Sequence, residues 1–217
     1  DFVPFAVNVN AAEANETIRP YLPLAERLGA LFQSLVGAIP DTLEVCVEGD
    51  IAGYDTRILE LAVLKGVFRS IASDPVAYVN APQLAKEPGL DVRDVSCATS
   101  PDYVNLLSIV GGGHRIGGTL SGPKAAQRVV NIDGVPFDVP PVDHMVVIHN
   151  DDRPGVIGTV GTLLGEAGVN IADMDVSRVE SDDTAVMLIA PTEPVPSGIL
   201  DQLRGAPGII SVASLSA

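Results

Sequence analysis

The order in which two hydrophobic periodicities alternate after residue 143 constrains this chain most. Met145–His149 reads as a strand. Gly155–Ala167 then carries Val156, Val160, Leu163, Leu164 and Ala167 at helical spacing, and Gly168 ends the helix. Asn170–Val179 reads as a strand, Ser181-Asp182-Asp183 as a turn, and Thr184–Ala190 as a strand apolar on both faces. Ser197–Arg204 reads as a helix and Gly208–Ser214 as a last strand. That order is βαββαβ, a ferredoxin-like split βαβ. The right-handed crossover rule puts both helices on one face of a four-stranded antiparallel sheet. The other face then needs a cover, from a neighbouring domain or a second copy.

The upstream pattern differs. Residues 1–15 are polar and extended, a linker or the remnant of a preceding domain. Thr17–Ala38 predicts a helix, with Leu22, Ala25, Leu28, Leu31, Phe32, Leu35, Val36 and Ile39 along one stripe. Pro20 and Pro23 fall in its first turns, where a missing N–H does least harm. Leu43, Val45 and Val47 alternate with polar residues as in a half-buried strand. Helices follow at Thr56–Ala72 and Asn80–Lys86, then strands over 90–97, 103–110, 114–120 and 125–132. Helices first and an antiparallel sheet after them predict an α+β domain. Asp133-Gly134 is a hairpin signal, and Pro136, Pro140 and Pro141 mark a boundary at Pro140–Asp143. The reading is therefore α+β throughout: 16–140 as a first domain and 144–217 as a ferredoxin-like second one.

Charge narrows the function classes. With 13 Lys+Arg against 28 Asp+Glu the net charge is −15, a field that repels phosphate backbones, so no nucleic-acid partner is expected. No apolar run approaches the roughly 18 residues of a membrane span, so no membrane partner is expected either. There is no basic n-region before an apolar core. The chain opens on Asp1-Phe-Val-Pro rather than Met, as a segment of a longer protein would. Cys46 and Cys97 sit in strand-like runs and are expected as buried, reduced thiols, which fits a cytoplasmic protein.

The densest chemistry is His149-Asn150-Asp151-Asp152-Arg153-Pro154-Gly155, with Gly168-Val169-Asn170-Ile171 after the helix. A helix N-terminus suits a carboxylate, and Asp152 beside it can take an ammonium. Asn150 lies two residues earlier on the same strand face, and Asn170, expected beside the end of that strand, donates and accepts at once. Together they complement a free amino acid. The plain alternative is that Asp152 caps the helix and Asn170 tolerates a left-handed turn. A second cluster rests on charge: no Asp or Glu occurs between Asp102 and Asp133, where His114, Arg115, Lys124 and Arg128 lie. Arg115, Lys124 and Arg128 are candidate anion ligands; the alternative is ordinary solvated cations. No Gly-x-Gly-x-x-Gly, metal-ligand spacing or nucleophile–base pair is present, so no cofactor, metal or catalytic residue is expected within this chain.

The strand–Asp-Arg-Pro-Gly–helix–Gly-Val-Asn-Ile run resembles the opening of an ACT domain. Val7-Asn8-Val9, the Arg19-Pro20-Tyr21-Leu22-Pro23-Leu24-Ala25-Glu26-Arg27-Leu28-Gly29 run and Gly118-Thr119-Leu120 resemble the long form of D-3-phosphoglycerate dehydrogenase. There an intervening substrate-binding domain and a closing ACT domain regulate NAD-dependent catalytic domains. The resemblance implies a regulatory role in L-serine biosynthesis, a homo-oligomer contacting its own catalytic domains, and L-serine bound at an ACT dimer interface. The matching positions are Asn150, Asp152 and Asn170; the family carries His or Tyr where Asn150 stands. It also implies a basic site for phosphate or substrate, with Arg128 in place and Val135, Pro136 and Pro140 where further basic residues stand. Two rival readings are a regulatory segment of L-serine dehydratase, whose iron–sulfur cluster has no cysteine triad here, and a non-sensing oligomerisation module.

Overall fold

The computed structural model describes residues 16–179 and 183–217; residues 1–15 and most of the expected 181–183 turn lie outside them. Pro20 and Pro23 split the first expected helix into a 3₁₀ turn, Arg19–Tyr21, and α1, Leu22–Val36. Gly37, at φ 73°, closes α1 by donating its N–H to the Gln33 carbonyl. There follow β1 (Thr42–Gly49), α2 (Arg57–Arg69), α3 (Ala81–Lys86), β2 (Asp91–Cys97), β3 (Asn105–Gly111), β4 (His114–Ser121), β5 (Ala126–Ile132) and β6 (Val135–Val139). These strands form one sheet in the order β2-β1-β3-β4-β5-β6.

Two sequence expectations change here. The sheet is mixed, because β1 and β2 pair in parallel, Thr42 opposite Asp91 through Glu48 opposite Cys97. The helices inserted between them supply the long crossover that a parallel pair needs. A further strand also precedes the Pro140–Asp143 boundary. β6 pairs with β5 across the Asp133-Gly134 turn, both at positive φ (52° and 86°). Its Pro136 is tolerated because β6 is a sheet edge.

α1 and α2 cover one face of this sheet and cross at two glycines. A methyl built on Gly29 would stand 2.2 Å from the Val63 carbonyl oxygen, and one on Gly66 only 1.9 Å from that of Glu26. Backbone faces backbone there, so no side chain can move aside. Gly66→Ala is expected to cost about 1–3 kcal/mol through forced separation of the helices, read as a lower urea midpoint.

The second unit comprises β7 (His144–Asp151), α4 (Val156–Glu166), β8 (Ile171–Val179), β9 (Thr184–Pro191), α5 (Ser197–Gly205) and β10 (Ile209–Ser216). Its sheet order is β10-β7-β9-β8, all antiparallel, with α4 and α5 packed on Val146, Ile148, Met187, Ile189 and Val212. The opposite face is covered from within the chain. Met145, Val147, Val186, Leu188, Ala190 and Leu215 join Phe137 and Val139 and the α1/α2 layer in one continuous core. Polar ties frame it: Arg27 donates to the Pro141 carbonyl (2.6 Å) and to Asp143 (3.1 Å), and the Ser216 N–H donates to the Ser34 hydroxyl (3.0 Å). No helix among the described residues is long and apolar enough to cross a membrane.

The cysteines are free, but Cys97 is exposed rather than buried, because β2 is an edge strand open on both faces. Cys46 is half-buried. Burial, and then the neighbouring Asp94, raises the Glu60 carboxyl above its usual range. The folded chain therefore holds a proton there more tightly than the unfolded chain. Stability is lost as pH rises from the unfolded value through the folded one. Glu60→Gln is expected to raise Tm at pH 7 and leave it unchanged at pH 3, measured by thermal melts at both.

Candidate ligand site

Along β7, Val146 and Ile148 face α4 and α5, and alternation puts Asn150 on that same face. Asn150 is only 2% exposed. Its Nδ2 donates to the Asp151 carbonyl (2.7 Å), while its Oδ1 is buried with no partner among the described residues. Two residues on, Asp152 leaves the strand and donates its N–H to the Asp183 carbonyl (2.9 Å). Its carboxylate does not cap α4: the N-cap is Gly155, at φ 98°, and among the described residues no side chain makes a capping hydrogen bond there. Asp152 Oδ2 instead meets Arg178 Nε at 2.5 Å. Arg178, on β8, escaped the sequence reading. It stands in register with Ala185, which stands in register with Asn150, so the three form a row across β8, β9 and β7. Only such a register reveals the row; residue spacing does not.

Asn170 is exposed, and its carbonyl accepts from the Thr192 N–H (2.9 Å). The left-handed position near it is Gly168, at φ 76°, so Asn170 is not there to tolerate a left-handed turn. Nor does it lie beside the end of β7. β7 and β8 both run antiparallel to β9, so they run parallel to each other, and Ile171 aligns with Pro191 at the end where β7 begins. Asp152 follows the other end. Seven strand positions separate Arg178 from Ile171, roughly 23 Å. The helical crossover returns the chain to the start of the sheet, which is why the sequence expectation fails. One chain brings Asn150 and Asp152 together and keeps Asn170 apart.

The basic residues are also dispersed. Arg115 opens β4, and Lys124 sits in the turn beyond its end, about 20 Å away at strand rise. Arg115 donates to Ser108 Oγ (3.1 Å) and pairs with Glu48 (3.5 Å). Arg128 pairs with Asp138 (3.3 Å) and, in the second unit, Asp173 (3.7 Å). The acid-free interval in the sequence is thus met by carboxylates from other elements. Among the described residues no group of three or more His, Cys, Asp or Glu is placed to hold a metal. Among the described residues, none of the strand-to-helix turns carries a three-glycine cradle.

Residues 17–133 match the family described as D-3-phosphoglycerate dehydrogenase intervening domain, and residues 144–208 match the ACT domain. The chain belongs to the D-3-phosphoglycerate dehydrogenase intervening-domain family. Among curated relatives, the D-3-phosphoglycerate dehydrogenase of Mycobacterium leprae is 37% identical over 211 residues, covering 95% of this chain and 40% of the relative. Those of Synechocystis and Bacillus subtilis are 36% and 31% identical, covering 94% and 95% of this chain and 38% and 40% of theirs. The chain therefore spans about 40% of the length of these relatives. Among solved structures, the ACT domain from a GTP pyrophosphokinase of Chlorobium tepidum aligns over 33% of this chain and 95% of that one, at 16% identity and TM-score 0.28. The chain is thus an intervening domain followed by an ACT domain, the regulatory part of the dehydrogenases it resembles.

Proposed function

We propose that this chain senses L-serine for catalytic domains that oxidise 3-phosphoglycerate with NAD and lie outside it. The observation that carries the reading is the buried Asn150 Oδ1, unpartnered among the described residues, two residues from the Asp152 carboxylate and beside the α4 N-terminus. An unmet buried acceptor costs about 1–3 kcal/mol, so it calls for a donor. An α-ammonium supplies that donor and the charge for Asp152, while the α-carboxylate suits the free N–H groups of the first helical turn.

Asn170 enters from a second copy. β8 is the edge strand of its sheet, nine residues long, with Asp175 and Ser177 bonded to β6 through their side chains. Two such edges paired antiparallel about a two-fold axis set the Asn170 end of one copy beside the Asp152 end of the other. Serine bound across that seam favours the paired arrangement by its differential affinity for it. The test is calorimetry of the chain with L-serine, joined to sedimentation with and without it. Heat together with a shift toward dimer is the expected result. No heat at millimolar serine overturns the reading, and an unchanged dimer with no heat leaves a passive clamp.

A further inference from the structure

We infer that Arg178 is an internal competitor for the Asp152 carboxylate, an inference that rests on the serine reading above. In that reading Asp152 takes the ligand's ammonium, and its Oδ2 already has Arg178 Nε at 2.5 Å. The Arg178 side chain is 74% exposed, so a guanidinium on a flexible stem occupies the position without being locked into it. Its backbone lies two strand spacings from Asn150, with only the Ala185 methyl between them on that face. The guanidinium therefore reaches the ligand-binding end from the side.

The neighbouring Arg153 provides an internal contrast. It sits next to Asp152 in sequence, yet its guanidinium turns to Asp151 (3.4 Å). Two arginines thus bring the same charge to the α4 mouth, and only one holds the carboxylate the ammonium needs. Binding an ammonium there requires Arg178 to release Asp152 or to share it against like-charge repulsion. In either case ligand affinity is lowered by the worth of an exposed ion pair, and the empty site keeps its carboxylate neutralised.

The test is L-serine titration of wild type, Arg178→Gln and Arg153→Gln by calorimetry. Arg178→Gln is expected to bind up to about fivefold tighter, matching the range for exposed pairs, while Arg153→Gln binds as wild type does. Wild type that binds, with Arg178→Gln equal or weaker, overturns the competition and leaves the serine reading standing. Equal tightening in both variants also overturns it, since a general loss of positive charge is then the cause. If no variant binds serine, the sensing reading fails and the competition falls with it.

Discussion

Phe137→Ala is expected to lower unfolding stability by about 3–5 kcal/mol, the cost of emptying a large buried aromatic site. Phe137 is 4% exposed and lies in the core shared by the two sheets. The distinctive result is where the loss appears. Hydrogen exchange should speed up in β7 and β9 of the ACT sheet as well as in β5 and β6, because Met145, Val147, Val186 and Leu188 lie in the same core. An effect confined to residues before the Pro140–Asp143 boundary would show that the two units fold on separate cores.

The second large effect concerns binding. Asp152→Ala is expected to weaken L-serine by ten- to a hundredfold, about 1.5–3 kcal/mol for a lost charge-assisted hydrogen bond. Asp152→Asn should lose nearly as much, since it keeps the shape and removes the charge. Melting curves should barely move, because the Asp152 side chain is a third exposed and its ion pair is with the exposed Arg178. Calorimetry with both variants checks this; serine affinity surviving in either removes Asp152 from the site.

Much of this architecture was legible because the apolar pattern carries it. The βαββαβ order, the Gly168 stop and the Asp133-Gly134 hairpin depend on local periodicity and turn chemistry, and the structure keeps all three. What escaped the sequence is what only pairing decides. β6 hid behind Pro136 and Pro140, though Val135, Phe137 and Val139 alternate as a strand should. The parallel β1–β2 pair followed from crossover length, which strand spacing does not display. In the site, Asn150 and Asp152 were readable because two residues on one strand share a face. Asn170 was misplaced because its end of the sheet depends on strand direction across β9, and Arg178 was missed because its link to Asp152 spans two strands.

The separation of Asp152 and Asn170 at opposite ends of the sheet, beyond the roughly 23 Å from Arg178 to Ile171, has a consequence for stoichiometry. A seam with two-fold symmetry that joins opposite ends of one sheet makes its pockets in pairs, never singly. The first metabolite to arrive meets the entropic penalty of bringing the copies together. The second finds its pocket already assembled, so occupancy should rise more steeply than a single-site isotherm at low protein concentration and flatten toward one as the chain is concentrated.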